Sequence, residues 1–220
     1  VTTTTDGRST RWDQHRAQRR GELVNATIQA IRTHGAGVGM DEIAATAGTS
    51  KTVIYRHFTD RTGLYAAVAE HVDEHLRASL ARALTRPAAL VPHDAPVGRD
   101  VLEAAIDTYL DLVERDPELY RFIVATPMLD PDDRRSHLDA GGLPVRVTAR
   151  MADILGSALD GAGAPTGVAP VWAAALVGMV RAAADDWLRP GSALHGRPRQ
   201  ELCATLTDLA WRGLAEVWGG

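Results

Sequence analysis

The sequence predicts an all-α fold, on three observations. No stretch sustains the alternation of apolar and polar residues that a half-buried strand requires. Apolar residues recur instead at spacings of three and four. Prolines and glycines gather at a few places and cut the chain into helix-length pieces. The 220 residues are 45% hydrophobic and 24% charged, as in an ordinary folded globular chain. That length allows one large domain or a small one joined to a larger one.

The first helix is expected from Trp12 to His34, with Leu23, Val24, Thr27, Ile28 and Ile31 on one face and Gly35 as its stop. A short helix runs from Met40 to Ala47 and ends at Gly48. Another spans Lys51 to His57, with Ser50 as its N-cap. Asp60 caps a long helix to Leu84, whose stripe is Leu64, Val68, Val72, Leu76, Leu80 and Leu84. Residues 85–98 hold three prolines and read as a loop. Helix resumes from Arg99 to Arg115. Asp116 then caps a helix from Pro117 to Ala125, with proline at its first position. Residues 127–142 are polar and rich in Asp, Pro and Gly, which marks a loop. The last three helices are expected at Pro144 to Leu159, Val168 to Leu188 and Pro198 to Trp218.

Composition excludes several classes. One cysteine, Cys203, excludes an intrachain disulfide framework and is expected as buried packing. No run of 18 apolar residues marks a membrane span. The N-terminal residues lack the apolar core of a signal peptide. A cytoplasmic protein with no membrane partner is therefore expected. His71 and His75 have a zinc-compatible spacing, but Val72 stands where the zinc-protease motif needs Glu. A solvated helix face is the expectation, with no metal and no cofactor. Asp132, Asp133, Asp185 and Asp186 are expected as helix-end or surface charges. Nucleophile-elbow, phosphate-loop and dinucleotide glycine patterns are absent from the sequence, so no catalytic residues are assigned.

Charge is unevenly spread. The net charge is −4, yet the first 61 residues carry eight arginines and one lysine against six acidic residues. A basic N-terminal module is joined to an acidic body. Within that module, two short helices flank the turn Ala47-Gly48-Thr49. Ile43, Ala44 and Ala47 face Val53, Ile54 and Phe58, small residues allow close approach, and Gly48 permits a sharp turn. This is a helix-turn-helix layout, with the second helix available to a major groove. Ser50, Lys51 and Thr52 stand at that helix's N-terminus, where backbone N–H groups favour phosphate. Tyr55, Arg56, His57 and Arg61 add donors. Arg8, Arg11, Arg16, Arg19 and Arg20 precede the unit as candidates for backbone or minor-groove contact.

The stretch IAATAGTSKTVIYRHF from Ile43 to Phe58, followed by TDRTGL from Thr59 to Leu64, closely resembles the DNA-binding signature of tetracycline-repressor-like (TetR-family) regulators. The resemblance spans roughly Gln18 to Val72. It implies that Lys51, Thr52, Val53 and Arg56 face bases or nearby backbone, and that Tyr55, His57 and Arg61 hold phosphates. One departure is Gly39, which stands where the family usually has a hydroxyl.

The resemblance implies residues 1–11 as a flexible arm, residues 12–59 as the DNA-binding domain, and residues 60–220 as a larger helical domain for ligand binding and dimerisation. Large residues of the body are candidates for an apolar pocket: Tyr109, Tyr120, Phe122, Met128, Met151, Trp172, Met179 and Trp187, with Arg121, His137 or Arg181 as polar anchors. Val171, Val180, Leu202, Leu206, Leu209 and Gly213 are candidates for a homodimer interface built as a four-helix bundle. The expected function is a ligand-responsive repressor, released from palindromic double-stranded operator DNA by a small hydrophobic effector. The alternative is a small helical enzyme or carrier with a non-functional helix-turn-helix. An activator, or a regulator with a protein partner, is a third reading.

Overall fold

The computed structural model describes residues 7–84, 97–124, 143–161 and 163–218. Among the described residues there are nine α-helices and no strand: α1 Gly7–His34, α2 Met40–Thr46, α3 Lys51–Phe58, α4 Arg61–Leu84, α5 Val97–Arg115, α6 Pro117–Val124, α7 Leu143–Gly161, α8 Ala169–Trp187 and α9 Arg199–Trp218. A single 3-10 turn, Thr166–Val168, leads into α8. The loop expected at 127–142, with Met128, Asp132, Asp133 and His137, lies outside the described residues, as do residues 85–96 of the earlier loop.

Helix ends follow their local chemistry. The Ser50 hydroxyl accepts from the Val53 N–H at 3.4 Å, and Asp60 Oδ1 accepts from the Gly63 N–H at 2.6 Å, so both expected caps form. Gly35, at φ +87°, turns the chain out of α1. The expected arm differs: α1 already begins at Gly7, so residues 7–11 continue the first helix, with no proline to interrupt it.

Three apolar clusters organise the chain. The first joins α1 to α4 through Leu23, Ile31, Ile43, Ile54, Phe58, Leu64 and Val68, and it also takes Leu119, Phe122 and Ile123 from α6. The second joins α5, α8 and α9 through Leu110, Val113, Val180, Trp187, Leu202 and Leu206, with Tyr120 of α6. The third packs Leu155 and Leu159 of α7 on Ala169 and Ala173 of α8. Helix α6 thus serves two cores, one on each face.

Four pocket candidates are corrected, Trp187 among them, since it is buried in the second cluster. Phe122 sits in the first core, its ring centroid 4.4 Å from that of Tyr65 in a T-shaped contact. Trp172 packs on the third cluster and Met179 on the second. The interface candidates divide. Val180, Leu202 and Leu206 are buried within the chain, whereas Val171 (69% exposed) and Leu209 (61%) face outward, as does Gly213. Helix α8 is apolar around most of its circumference, so its sequence marks no single inward stripe. On α9 the buried arc is Leu202, Cys203, Leu206, Thr207 and Ala210, and Leu209 lies at its edge. Cys203 is buried as expected, and burial pushes its thiol up to about 11, so it is protonated at neutral pH.

Leu206→Ala is therefore a core deletion rather than an interface change. It is expected to cost about 2–5 kcal/mol of stability, read as a lower urea midpoint. An unchanged midpoint would remove Leu206 from the core.

Candidate nucleic-acid interface and the adjoining cavity

Helices α2 and α3 meet through the turn 47–50. Gly48 occupies it at φ +58°, a conformation that favours glycine, and the Thr49 N–H donates to the Ala44 carbonyl at 3.0 Å. Ile43 and Ala44 of α2 and Ile54 and Phe58 of α3 are buried against each other and against α1 and α4. That burial fixes which side of α3 is left outside. Lys51, Thr52, Tyr55 and Arg56 are exposed there with Ser50, while Val53 and His57 are half-buried. The turn into α4 is equally constrained. A Cβ at Gly63 would overlap the Phe58 carbonyl oxygen, so glycine is needed where Asp60 wraps onto the Gly63 N–H.

The surroundings of this face are cationic. Burial lowers the His57 pKa below its ordinary value, and the positive fields of Arg19, Arg16, Arg56 and Arg20 lower it further. His57 is therefore a neutral imidazole at pH 7. Lys51 Nζ lies 2.9 Å from Asp41 Oδ1, and this contact raises the lysine pKa. Two arginines are partly committed. Arg20 donates to the His57 carbonyl at 2.8 Å and stacks over the Phe58 ring, so it braces the C-terminal end of α3. Arg61 donates to the Tyr65 hydroxyl at 2.5 Å and lies over the Tyr65 ring. Gly39 precedes α2 with no side-chain cap. Sequence spacing alone gives no sign of the Asp41 contact or the Arg20 brace, because both join different helices.

A cavity lies beside this unit, between α4, α5, α7 and α8. It is a half-open cleft with about 780 Å³ of space between its atoms, open solvent included. Leu76 and Leu80 of α4, Ile106 of α5, Ile154 of α7 and Val177 of α8 line it. Of the eight pocket candidates, Tyr109 and Met151 line this cavity. Tyr120 lines a smaller apolar space next to it, which shares Tyr109, Val147 and Val177. The Tyr120 hydroxyl donates to Asp185 Oδ1 at 2.6 Å, and Asp185, 42% exposed near the end of α8, is the helix-end charge the sequence suggests, with this one inward partner. Burial, then Tyr109 and Asp185, push the Tyr120 phenol up. Among the anchor candidates, Arg181 lines the smaller space, and Arg121 is exposed and paired with Glu118. The aliphatic lining and Arg77 and Arg150 were not foreseen, since a Leu on a helical stripe looks the same in a core or a cavity wall.

His71 and His75 line a separate polar groove with Arg32, Asp111 and Asp116. Among the described residues no three His, Cys, Asp or Glu side chains are grouped to hold a metal ion.

Comparison with known proteins assigns this architecture. Residues 23–68 match the bacterial regulatory proteins of the tetR family, and residues 88–219 match the tetracyclin repressor-like C-terminal domain. The chain is 37% identical to an uncharacterized HTH-type transcriptional regulator of Mycobacterium tuberculosis, over 99% of this chain and 86% of that protein. Two solved structures share its fold. A tetR-family transcriptional regulator from Streptomyces coelicolor superposes with TM-score 0.63 at 21% identity, covering 91% of this chain and 82% of that one. FadR from Bacillus subtilis in complex with stearoyl-CoA superposes with TM-score 0.63 at 13% identity, covering 86% and 96%. The family and these relatives are transcriptional regulators, not enzymes, and the chain belongs to the tetR family of bacterial DNA-binding transcriptional regulators.

Proposed function

We propose that this regulator is a homodimeric repressor, released from a palindromic operator when a small hydrophobic molecule enters the cavity between α4, α5, α7 and α8. The observation that carries the reading is the outward face of α3. It presents Lys51, Thr52, Tyr55 and Arg56 beside an arginine-rich α1, on a unit whose core also contains part of the body. In this reading Lys51, Thr52, Val53 and Arg56 meet bases or nearby backbone. Ser50 and the first N–H groups of α3 donate to a phosphate, and Tyr55, His57 and Arg61 hold others. Lys51 must leave Asp41 to do so.

Dimerisation is supported by the outer faces of α8 and α9. Within Thr166–Trp187 the most apolar 18-residue stretch has a mean hydropathy of 1.5, and only 28% of that stretch is buried. By length and composition alone such a segment would suffice to cross a membrane. Its charged residues Arg181, Asp185 and Asp186, and its packing on α5 and α7, favour a soluble helix with one face left for a partner. Val171, Ala175, Gly178 and Ala182 on α8, with Leu209 and Gly213 on α9, are exposed. A second copy covering these small and apolar residues makes a four-helix interface. A chromosome-binding regulator works in the cytoplasm. The effector class is supported by the apolar cavity wall, and by the acyl thioester that the FadR structure contains in its own case.

The function is tested by selecting bound fragments from the source organism's genomic DNA at two salt concentrations. Enrichment of one palindrome, with higher expression from that promoter when the protein is deleted, is expected. No enriched motif, or lower expression on deletion, contradicts the reading. On the selected operator, Lys51→Ala is expected to weaken binding and reduce the slope of log affinity against log salt by about one unit. An unchanged slope removes Lys51 from the phosphate contacts. Leu209→Asp is expected to give a folded monomer with poor operator affinity. A normal dimer mass by light scattering would place the interface elsewhere.

A further inference from the structure

We propose that the cavity takes an amphiphile with one apolar chain and one anionic head, and that the head binds Arg150 in exchange for Asp73. The proposal rests on the effector reading above and names the chemical class. Among the described residues of the cavity wall, the only charged side chains are Arg77 and Arg150, both cationic, set among hydrocarbon from four helices. A neutral apolar ligand would make no use of this pair's charge. A cationic ligand would be repelled by it.

The guanidinium of Arg150, on α7, already holds a carboxylate. Its Nη1 and Nη2 donate to Asp73 Oδ1 and Oδ2 at 3.0 and 2.9 Å, the two-pronged geometry in which arginine recognises a planar anion. Asp73 lies on α4 with its side chain only 7% exposed, and Arg77 Nε stands 3.8 Å from the same carboxylate. Asp73 therefore has two guanidiniums within reach, Arg77 through its Nε while its Nη2 donates to Glu74 at 2.9 Å, and both reach the cavity. When a ligand carboxylate takes Arg150, Asp73 still has Arg77, so no buried charge is stranded. That condition matters, because an unpaired buried carboxylate would oppose the exchange strongly.

The exchange has a structural consequence. The Asp73–Arg150 pair ties α4 to α7, with Arg146 and Glu70 at 3.9 Å as a looser second tie. Moving Arg150 onto a ligand undoes the stronger tie on the helix that continues directly into the DNA-binding unit. Asp73 is in this account a resident stand-in for the ligand's head, and the ligand competes with it.

The test is calorimetric titration of the protein, stripped of bound lipid, with dodecanoate and with dodecan-1-ol. These probes share a chain and differ in the head. Dodecanoate is expected to bind at least ten-fold tighter than the alcohol. Asp73→Asn is expected to tighten dodecanoate several-fold and leave the alcohol unchanged, because the internal competitor is gone. Arg150→Gln combined with Asp73→Asn keeps the pair neutral and foldable, and is expected to abolish the preference. Equal affinities for the two probes, or a preference that survives in the double variant, would overturn the headgroup assignment while leaving an apolar effector cavity. Binding of neither probe would overturn the effector reading and this proposal with it.

Discussion

The position of α6 is the constraint on which the rest of the molecule depends. Leu119, Phe122 and Ile123 belong to the core of the DNA-binding unit, although they lie about fifty residues beyond its last helical turn in the chain. Polar contacts fix the register of this insertion. Arg32, near the end of α1, donates to Asp116 at 2.6 Å, and the Ala36 N–H donates to Glu118 at 2.9 Å. Asp116 is largely buried and Arg32 is half exposed, so the pair adds modest stability. It does set where α6 meets α1. The unit that carries α3 therefore cannot keep its core intact if α6 moves independently.

The opposite face of α6 carries Tyr120, hydrogen-bonded to Asp185 of α8 and edge-on to Tyr109, a cavity residue. One two-turn helix thus joins the cavity to the DNA-binding core. Helix α4 makes a second, continuous connection. Its stripe is shared: Leu64, Val68 and Val72 fill the first core, and Leu76 and Leu80 line the cavity. Close packing makes both connections stiff, so a change in cavity occupancy shifts whole helices rather than single side chains. In the proposed reading, this is the physical form that coupling between the cavity and α3 takes.

Much of this was legible in the sequence, and the limits have definite causes. Helix ends were visible because Ser50, Asp60, Gly35 and Pro117 act within one turn of themselves. The outer face of α3 was visible because Ile54 and Phe58 must point inward, which leaves Lys51, Thr52, Tyr55 and Arg56 outside. What was not legible depends on which helices meet. Phe122 was expected in the cavity because it is large, and size does not say which core a ring enters. Val180, Leu202 and Leu206 were expected at a dimer face because they lie on apolar helices, yet those helices are apolar on more than one side. Arg150 and Asp73 are 77 residues apart, and no local spacing announces their pairing.

The central claim is that the α3 face and the cavity are two readouts of one packed unit joined through α6 and α4. Hydrogen exchange of the protein with and without its selected operator tests this most directly. The account predicts slower exchange in α3 on binding DNA, together with altered exchange in α6 and in the part of α4 that lines the cavity. Protection confined to the helices before Arg61, with α6 and the rest of α4 unchanged, would contradict it.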